Sequence, residues 1–164
     1  MNARRLSLIA SGLFALIAGP VFAADTTTFN VTVTITAVCN VDAAAAADVA
    51  FGSQPSTATN IDAAGALNVQ CTTSAPYAIA LDNGQNGVDV NSRAMINGAT
   101  LVPYQLYRNP ARGAGDVWGS TVGVDDYNGT GDGTVQNIPV YGRVASANFP
   151  PGAYSDVVTA TITY

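Results

Sequence analysis

Apolar and polar residues alternate along residues 29–37, near the start of the chain. The apolar members fall at every second position: Phe29, Val31, Val33, Ile35 and Ala37. Because successive side chains of a β-strand point to opposite faces, one face is apolar and the other carries threonine and asparagine. We predict a strand, which at ~3.3 Å per residue would run about 26 Å over residues 29–36. Its partner is either its own domain or another copy of the chain, because an isolated edge exposes unpaired backbone groups.

The rest of the chain is a series of short apolar segments separated by turn residues. These segments predict strands at residues 48–52, 65–72, 77–81, 93–96, 100–108, 136–144 and 154–164. Asn97-Gly98 predicts a type I′ hairpin turn. Residues 109–134, which are rich in Gly and Asp, predict a short strand near Trp118 within a long surface loop. Short strands without a helical period predict an antiparallel β-sandwich.

The last predicted strand, residues 154–164, alternates as the first one does. One face carries Tyr154, Val158, Ala160, Ile162 and Tyr164. The other face carries Ser155, Val157 and three threonines. The sequence ends on this strand, so we expect one of its sides to lack a partner within the chain.

The first 23 residues have the three parts of a secretory signal. Arg4 and Arg5 are followed by an apolar run over residues 6–17 and by small residues before Ala24. The run is shorter than the roughly 20 residues that span a bilayer. We therefore predict a removed signal peptide at residues 1–23, with a retained membrane anchor as the alternative, and an exported protein.

The charged residues exclude several classes of function. Without Arg4 and Arg5 the chain has four arginines against eleven aspartates, a net charge of −7, and no lysine, glutamate or histidine. Nucleic acids and anionic lipids bind clustered Lys and Arg, so neither is expected as a partner. Acid–base catalysis would depend on aspartates alone, and no aspartate stands in a sequence context that indicates a carboxyl group with a shifted pKa. We expect no enzyme, no cofactor and no metal.

The two cysteines, Cys39 and Cys71, predict a disulfide, because thiols of exported proteins usually pair. Closing this loop would contribute roughly 3–4 kcal/mol on the chain-entropy model. The alternative is a reactive or metal-binding thiol pair, for which the sequence offers no supporting histidine.

Two further patterns suggest binding sites. Residues 126–137 resemble a calcium loop, with Asp126, Asn128 and Thr130 at alternate positions, but Asn137 replaces the bidentate glutamate and a solvated acidic loop is the favoured interpretation. Aromatic residues could form a carbohydrate platform or fill the core instead. These residues are Tyr104, Tyr107, Trp118 and Tyr127.

Several local patterns, taken in order, resemble one known family. After the alternating N-terminal strand they are DVAFG at 48–52, LNVQC at 67–71, PYAIAL at 76–81, PYQLYR at 103–108, VWG at 117–119, VYGRV at 140–144 and GAYSDVVTATITY at 152–164. Their order resembles that of spore coat protein U domain proteins, the pilin subunits of archaic chaperone–usher pili. The resemblance covers nearly the whole chain after residue 23.

The resemblance implies an incomplete immunoglobulin-like β-sandwich that lacks its last strand and so leaves a hydrophobic groove. A periplasmic chaperone would fill this groove first, and the N-terminal strand of the next subunit would replace it at an outer-membrane usher. Residues 24–37 would then be the donor strand and residues 38–164 the pilin domain. By matching positions, the donor residues would be Phe29, Val31, Val33 and Ile35, the disulfide would join Cys39 to Cys71, and one groove wall would carry Tyr154, Val158, Ala160, Ile162 and Tyr164.

The predicted function is that of a structural subunit of a cell-surface pilus, supporting adhesion and biofilm formation. Its partners would be further copies of the chain or other pilin subunits. The tip adhesins of the family carry a second domain, which this sequence does not show, so we expect a shaft or minor subunit. The alternative is a self-contained secreted β-sandwich that binds carbohydrate.

Overall fold

The structure is a computed structural model that describes residues 24–41 and 47–164. The chain divides into two units, Met1–Thr34 and Ile35–Tyr164. In the first unit, the described residues 24–34 contain no helix and no strand. The predicted signal peptide, residues 1–23, lies outside the described residues.

The second unit is built from short antiparallel strands, with one turn of 3₁₀ helix at Ala114–Asp116. The strands are β1 Cys39–Val41, β2 Thr59–Cys71, β3 Pro76–Leu81, β4 Ala94–Asn97, β5 Thr100–Pro103, β6 Gln105–Tyr107, β7 Tyr127–Thr130, β8 Val135–Ser146 and β9 Ala160–Thr163. The prediction of an all-β chain is confirmed.

The order of the strands within the sheets is that of an immunoglobulin-like sandwich with one strand missing. The first sheet has the order β1-β2-β8-β6, the second has the order β7-β3-β9, and β4-β5 form a separate hairpin. In the immunoglobulin fold the two sheets are A-B-E-D and C-F-G. The first sheet matches A-B-E-D, and β3 and β9 match C and F. No described strand takes the place of G beside β9, so the prediction of an incomplete sandwich is confirmed.

The core lies between the two sheets. The long strands β2 and β8 pair from Thr59↔Ser146 to Gln70↔Val135 and turn alternate side chains inward, as the period of two in their sequence dictates. Trp118 is fully buried, and its indole Nε1 donates a hydrogen bond of 2.7 Å to the Ile79 carbonyl oxygen. The other buried apolar side chains include Ile61, Val69, Tyr77, Leu81, Val102, Leu106, Ile138, Val140 and Val144.

Four predicted strands have other bounds in the structure. The strand predicted at residues 65–72 is β2, which begins at Thr59 because its pairing with β8 continues to Ser146. Residues 48–52 carry no strand, because only Ala47 forms a bridge, to Ala66, and the segment then leaves the sheet. The predicted arm over residues 100–108 is two strands, since β5 ends at Pro103 and β6 joins β8 in the first sheet. The last strand begins at Ala160 and not at residue 154, because its partner β3 ends at Leu81, opposite Ala160.

Two turn regions also differ from the sequence prediction. The hairpin pairs Asn97 with Thr100, so its turn consists of Gly98 and Ala99. Only Gly98 has a positive φ, 59°, which is the pattern of a type II′ turn and not of the predicted type I′. Within residues 109–134, the sequence did not indicate β7, whose Gly129 packs so tightly on Tyr77 that a side chain there would collide with the ring.

Candidate functional site: an open groove beside the last strand

The outer edge of β9 is the side of the sandwich that lacks a strand. On its inner side β9 pairs with β3 from Leu81↔Ala160 to Ala78↔Thr163. On its outer side no described strand pairs with it. Its nearest neighbour there is β1, which pairs only with β2 in the other sheet. The edges of β1 and β9 thus belong to different sheets and lie close together without pairing.

Beside residues 149–154, which precede β9, the sandwich opens into a cavity of about 720 Å³. Its lining comes mainly from two chain segments, residues 49–54 and 149–154, with side chains of the sheets and the hairpin as its floor. The large apolar side chains in the lining are Val49, Phe51, Ile61, Met95, Val102, Val144, Phe149 and Tyr154. The described lining residues include no charged side chain, so the cavity suits an apolar occupant.

Residues 49–54 form one wall, held by packing and not by a ladder. Val49 and Phe51 lie over Gly65 and Gly142, two positions in β2 and β8 where a Cβ would collide with this segment. The ring of Phe51 also contacts Tyr104 edge-on, with 6.5 Å between ring centroids. Between residues 49 and 53, no backbone group bonds to the backbone of another described residue. The wall therefore offers backbone donors and acceptors as well as apolar side chains.

The opposite side is the segment of residues 149–164, which we call the β9 wall. Of the predicted groove residues in it, Tyr154 lines the cavity, and the other four follow it along the segment towards residue 164. Tyr154, Val158, Ala160 and Ile162 are half-buried and pack against the core, whereas Tyr164 is 59% exposed. The Tyr154 hydroxyl donates a 2.7 Å hydrogen bond to the Pro150 carbonyl oxygen and so closes the turn that begins this wall.

The sequence analysis did not predict that residues 49–54 form a wall of the cavity, nor that Met95 and Val102 belong to its lining. The alternation of Val49 and Phe51 was visible, but it indicates burial without identifying the covering element.

The comparisons with known proteins match this geometry. The family model of the Spore Coat Protein U domain matches residues 25–161. The chain belongs to the Spore Coat Protein U domain family. Among curated proteins, no sequence matches the chain significantly.

Among solved structures, one similar chain comes from the crystal structure of the CsuC–CsuE chaperone–tip adhesion subunit pre-assembly complex, from archaic chaperone–usher Csu pili of Acinetobacter baumannii. The TM-score is 0.57 and the sequence identity is 24%, over 80% of the present chain and 40% of that chain. The present chain thus spans less than half of that chain's length, and the likeness shows a shared fold.

In this Spore Coat Protein U domain the predicted disulfide is present. Cys39 and Cys71 are joined with an S–S distance of 2.02 Å, and no described cysteine is free. The two residues are direct partners in the β1–β2 register, so the bond fastens the first residue of β1 to the last residue of β2. The Val38 backbone N–H adds a 3.0 Å hydrogen bond to Thr72 Oγ1. The chain that precedes the domain is therefore anchored where it enters the first sheet.

The four predicted donor residues are exposed. The exposed fractions are 84% for Phe29, 84% for Val31, 83% for Val33 and 78% for Ile35. Residues 24–38 carry no strand assignment. Four large apolar side chains thus form an exposed alternating row, which is unusual on the surface of a folded protein.

The other candidate sites have structural explanations. Trp118 and Tyr104 are buried in the core, and Tyr127 packs on Trp118 with 5.6 Å between ring centroids, so these aromatics do not form an exposed platform. Residues 127–130 of the possible calcium loop are strand β7. Within the described residues, no three His, Cys, Asp or Glu side chains are grouped to hold a metal ion. Nor does the described part of the chain contain a helix long and apolar enough to cross a membrane.

Proposed function

We propose that this chain is a structural subunit of an archaic chaperone–usher pilus and polymerises by strand donation. Residues 24–37 of one copy would fill the groove of the next copy and take the place of the missing G strand. Membership of the Spore Coat Protein U domain family and a sandwich fold shared with a chain from a Csu pilus complex support this proposal.

The observation that carries the proposal is that one chain has both an unfilled apolar groove and an exposed apolar strand segment. Because the four donor side chains are 78–84% exposed, nearly all of their apolar area is available for burial. At about 1.5–3 kcal/mol for each side chain, their burial would contribute roughly 6–12 kcal/mol before the cost of association.

The backbone of the donor segment would add to this affinity. Residues 49–53 and the outer edge of β9 have no ladder partners among the described residues, and an added strand would bond to such edges. The same chain offers a donor and a groove on different surfaces, so the contact is heterologous. A heterologous contact that does not close into a ring produces a filament.

The fold also suggests the direction of the donor strand. Residues 35–38 lead into β1 at Cys39, which lies at the same end of the sandwich as Cys71 and as Thr163 at the end of β9. In a head-to-tail fibre this end must meet the opposite end of the next copy, where the cavity lies. The donor would then run antiparallel to β9, with Ile35 nearest to Phe51 and Tyr154.

The remaining parts of the proposal follow from the family. Residues 1–23 would direct export, and a periplasmic chaperone would fill the groove. At an outer-membrane usher the donor strand of the next copy would replace the chaperone, and the fibre would lie on the cell surface. There it would support adhesion and biofilm formation.

The proposal is tested by electron microscopy of cells that express the chain with Ile35→Asp. A carboxylate on the apolar face would have to be buried in the groove without a partner, so we expect fibres to be lost. The matched control is Thr36→Asp, which adds the same charge to the polar face of the same strand, and we expect it to retain fibres. Intact fibres from cells with Ile35→Asp would contradict the proposal.

A further inference from the structure

The first part of the β9 wall, residues 154–159, extends beyond the strand that supports the rest of it. Partner strand β3 ends at Leu81, and the backbone continues the pairing for only one more residue, through a 3.0 Å bond from the Asp82 N–H to the Thr159 carbonyl oxygen. Ser155 then forms a bridge to Ile96 of the hairpin. Between these two points, residues 156–158 make no backbone–backbone hydrogen bond to another described residue.

In this region the side chain of Asp156 makes the hydrogen bonds that the backbone of residues 156–158 does not make. Its Oδ1 accepts two hydrogen bonds of 2.9 Å, from the Gln85 backbone N–H and from Asn86 Nδ2. Its Oδ2 accepts a 2.7 Å hydrogen bond from the Tyr104 hydroxyl. One carboxylate thus joins the wall both to the loop after β3 and to the core.

The loop is shaped to receive this carboxylate. Gly84 has a φ of +74°, and a Cβ at this position would collide with Oδ2 of Asp156. A residue without a side chain is therefore needed both for the backbone angle and for the close approach. This fit distinguishes the arrangement from an incidental surface contact.

The partners of Asp156 are themselves fixed. Arg93, which is fully buried, donates hydrogen bonds to the carbonyl oxygens of Leu81, Asp82 and Trp118, at distances of 2.7–3.2 Å, and so holds the base of the loop. Tyr104 is 9% exposed, and burial together with its bond to Asp156 raises the pKa of its hydroxyl, which therefore stays a hydrogen-bond donor. The wall is the element that depends on the carboxylate for its position.

We infer that Asp156 is a positioning residue of the acceptor groove, which holds residues 154–159 at the distance from residues 49–54 that an incoming strand requires. This inference rests on the proposed function, because it assumes that the groove receives a strand. Asp156 itself would not contact the donor, since its carboxylate is engaged by the loop and by Tyr104.

The experiment uses the full chain after residue 23 with Ile35→Asp added, so that its own donor segment cannot assemble. Hydrogen exchange is compared between this background and the variant with Asp156→Ala. We expect the amide of Gln85, which donates to this carboxylate, and those of Ser155 and Thr159, which bond to Ile96 and Asp82, to exchange about tenfold faster. This is the effect of losing a hydrogen bond to a charged group, and β2 and β8 should be unchanged. The control is Asp132→Ala, since among the described residues the Asp132 carboxylate bonds to Thr134 alone, in its own turn, and the change should leave these amides unchanged.

The second readout is the rate at which each variant captures a fluorescent peptide of residues 24–37. We expect Asp156→Ala to slow capture about tenfold and Asp132→Ala to have no effect. Asp156→Asn should restore most of the rate, because the amide oxygen can accept from Gln85 and the amide nitrogen can donate to the Tyr104 oxygen. A purely structural role elsewhere in the domain would not produce this rescue.

The outcomes separate the two proposals. If the background variant captures no peptide, the proposed function fails and the role of Asp156 in capture fails with it. If it captures peptide and Asp156→Ala leaves both exchange and capture unchanged, only the inference about Asp156 is overturned. If Asp156→Ala does not fold, Tyr104→Phe and Asn86→Ala each remove one of the bonds, and wild-type capture and exchange in both would overturn the inference.

Discussion

The two sides of the sandwich differ in how much of their pairing the chain supplies itself. On the closed side, β2 and β8 pair over almost their whole lengths, and β1 and β6 flank them. On the open side, β9 is four residues long and pairs with β3 alone among the described strands, and the cavity wall at residues 49–53 has no backbone ladder to other described residues. The closed side is therefore paired within the chain, whereas the open side leaves a strand edge without a partner among the described strands.

Two isoleucines, Ile79 and Ile162, show how the closed and open sides differ in burial. They are direct register partners in β3 and β9, but Ile79 is fully buried and Ile162 is only half-buried. Ile79 is covered by Trp118 and the first sheet, whereas the cover of Ile162 is incomplete where the missing strand would lie. The burial of Ile162 would become complete only when the groove is filled.

We expect Ile79→Ala to lower the free energy of unfolding of the single chain by about 2–5 kcal/mol, because it opens a cavity in a closed core. Ile162→Ala should cost less, about 1–2 kcal/mol, because part of its side chain is already exposed. Urea unfolding of both variants in the Ile35→Asp background measures the difference. Equal losses would show that both sides of the sandwich are equally closed.

The assembled fibre should sharpen this comparison. Filling the groove would bury the remaining surface of Ile162, so the cost of Ile162→Ala should rise in fibres while that of Ile79→Ala stays the same. The measurement is the urea midpoint of fibre dissociation for the two variants relative to wild type. An unchanged cost of Ile162→Ala in fibres would place the donor strand away from β9.

The disulfide should stabilise the closed side. Replacing Cys39 and Cys71 together with serine should lower the free energy of unfolding by roughly 3–4 kcal/mol on the chain-entropy model. The check is thermal unfolding with and without a reducing agent, and a double variant as stable as wild type would contradict it.

The sequence predicted the elements that depend on local patterns. Alternation located β3 and β8 within about two residues, and the cysteine count in an exported chain predicted the disulfide. The family resemblance predicted the missing strand, which periodicity alone could not do, because it reports burial and not the identity of the covering element.

The elements that depend on distant partners were missed. Strand β7 has few apolar residues, and it forms because β3 offers it an edge and Gly129 lets Tyr77 approach. Residues 48–52 have strand character but no strand assignment, because the segment leaves the sheet after the bridge from Ala47 to Ala66. Asp156 could not be assigned a role, because its partners at residues 85, 86 and 104 lie far away in sequence.

The smallest predicted effect concerns Asp82, the second carboxylate that supports the open wall. Its Oδ1 accepts hydrogen bonds of 2.9 Å from the backbone N–H groups of Gly84 and Thr159. Burial opposes ionisation of this group, but the hydrogen bonds from Thr159 and Gly84 and the charge of Arg93 outweigh it and lower its pKa below the usual 3.8. A lowered folded-state pKa contributes stability above the unfolded-state pKa, and this contribution is lost as the pH falls through the folded-state value.

We therefore expect Asp82→Asn to reduce stability at pH 7, and we expect the difference from wild type to shrink as the pH falls through the folded-state pKa and the wild-type carboxyl group becomes protonated. The melting temperature of both chains between pH 7 and pH 2 measures this convergence. Asp89→Asn is the control, since it removes a charge from the same loop, whereas the Asp89 carboxylate bonds, within the part of the chain that the structure describes, to Asn91 and Ser92 alone. A difference between wild type and Asp82→Asn that persists unchanged at pH 2 would mean that Asp82 supports the wall through packing and not through its charge.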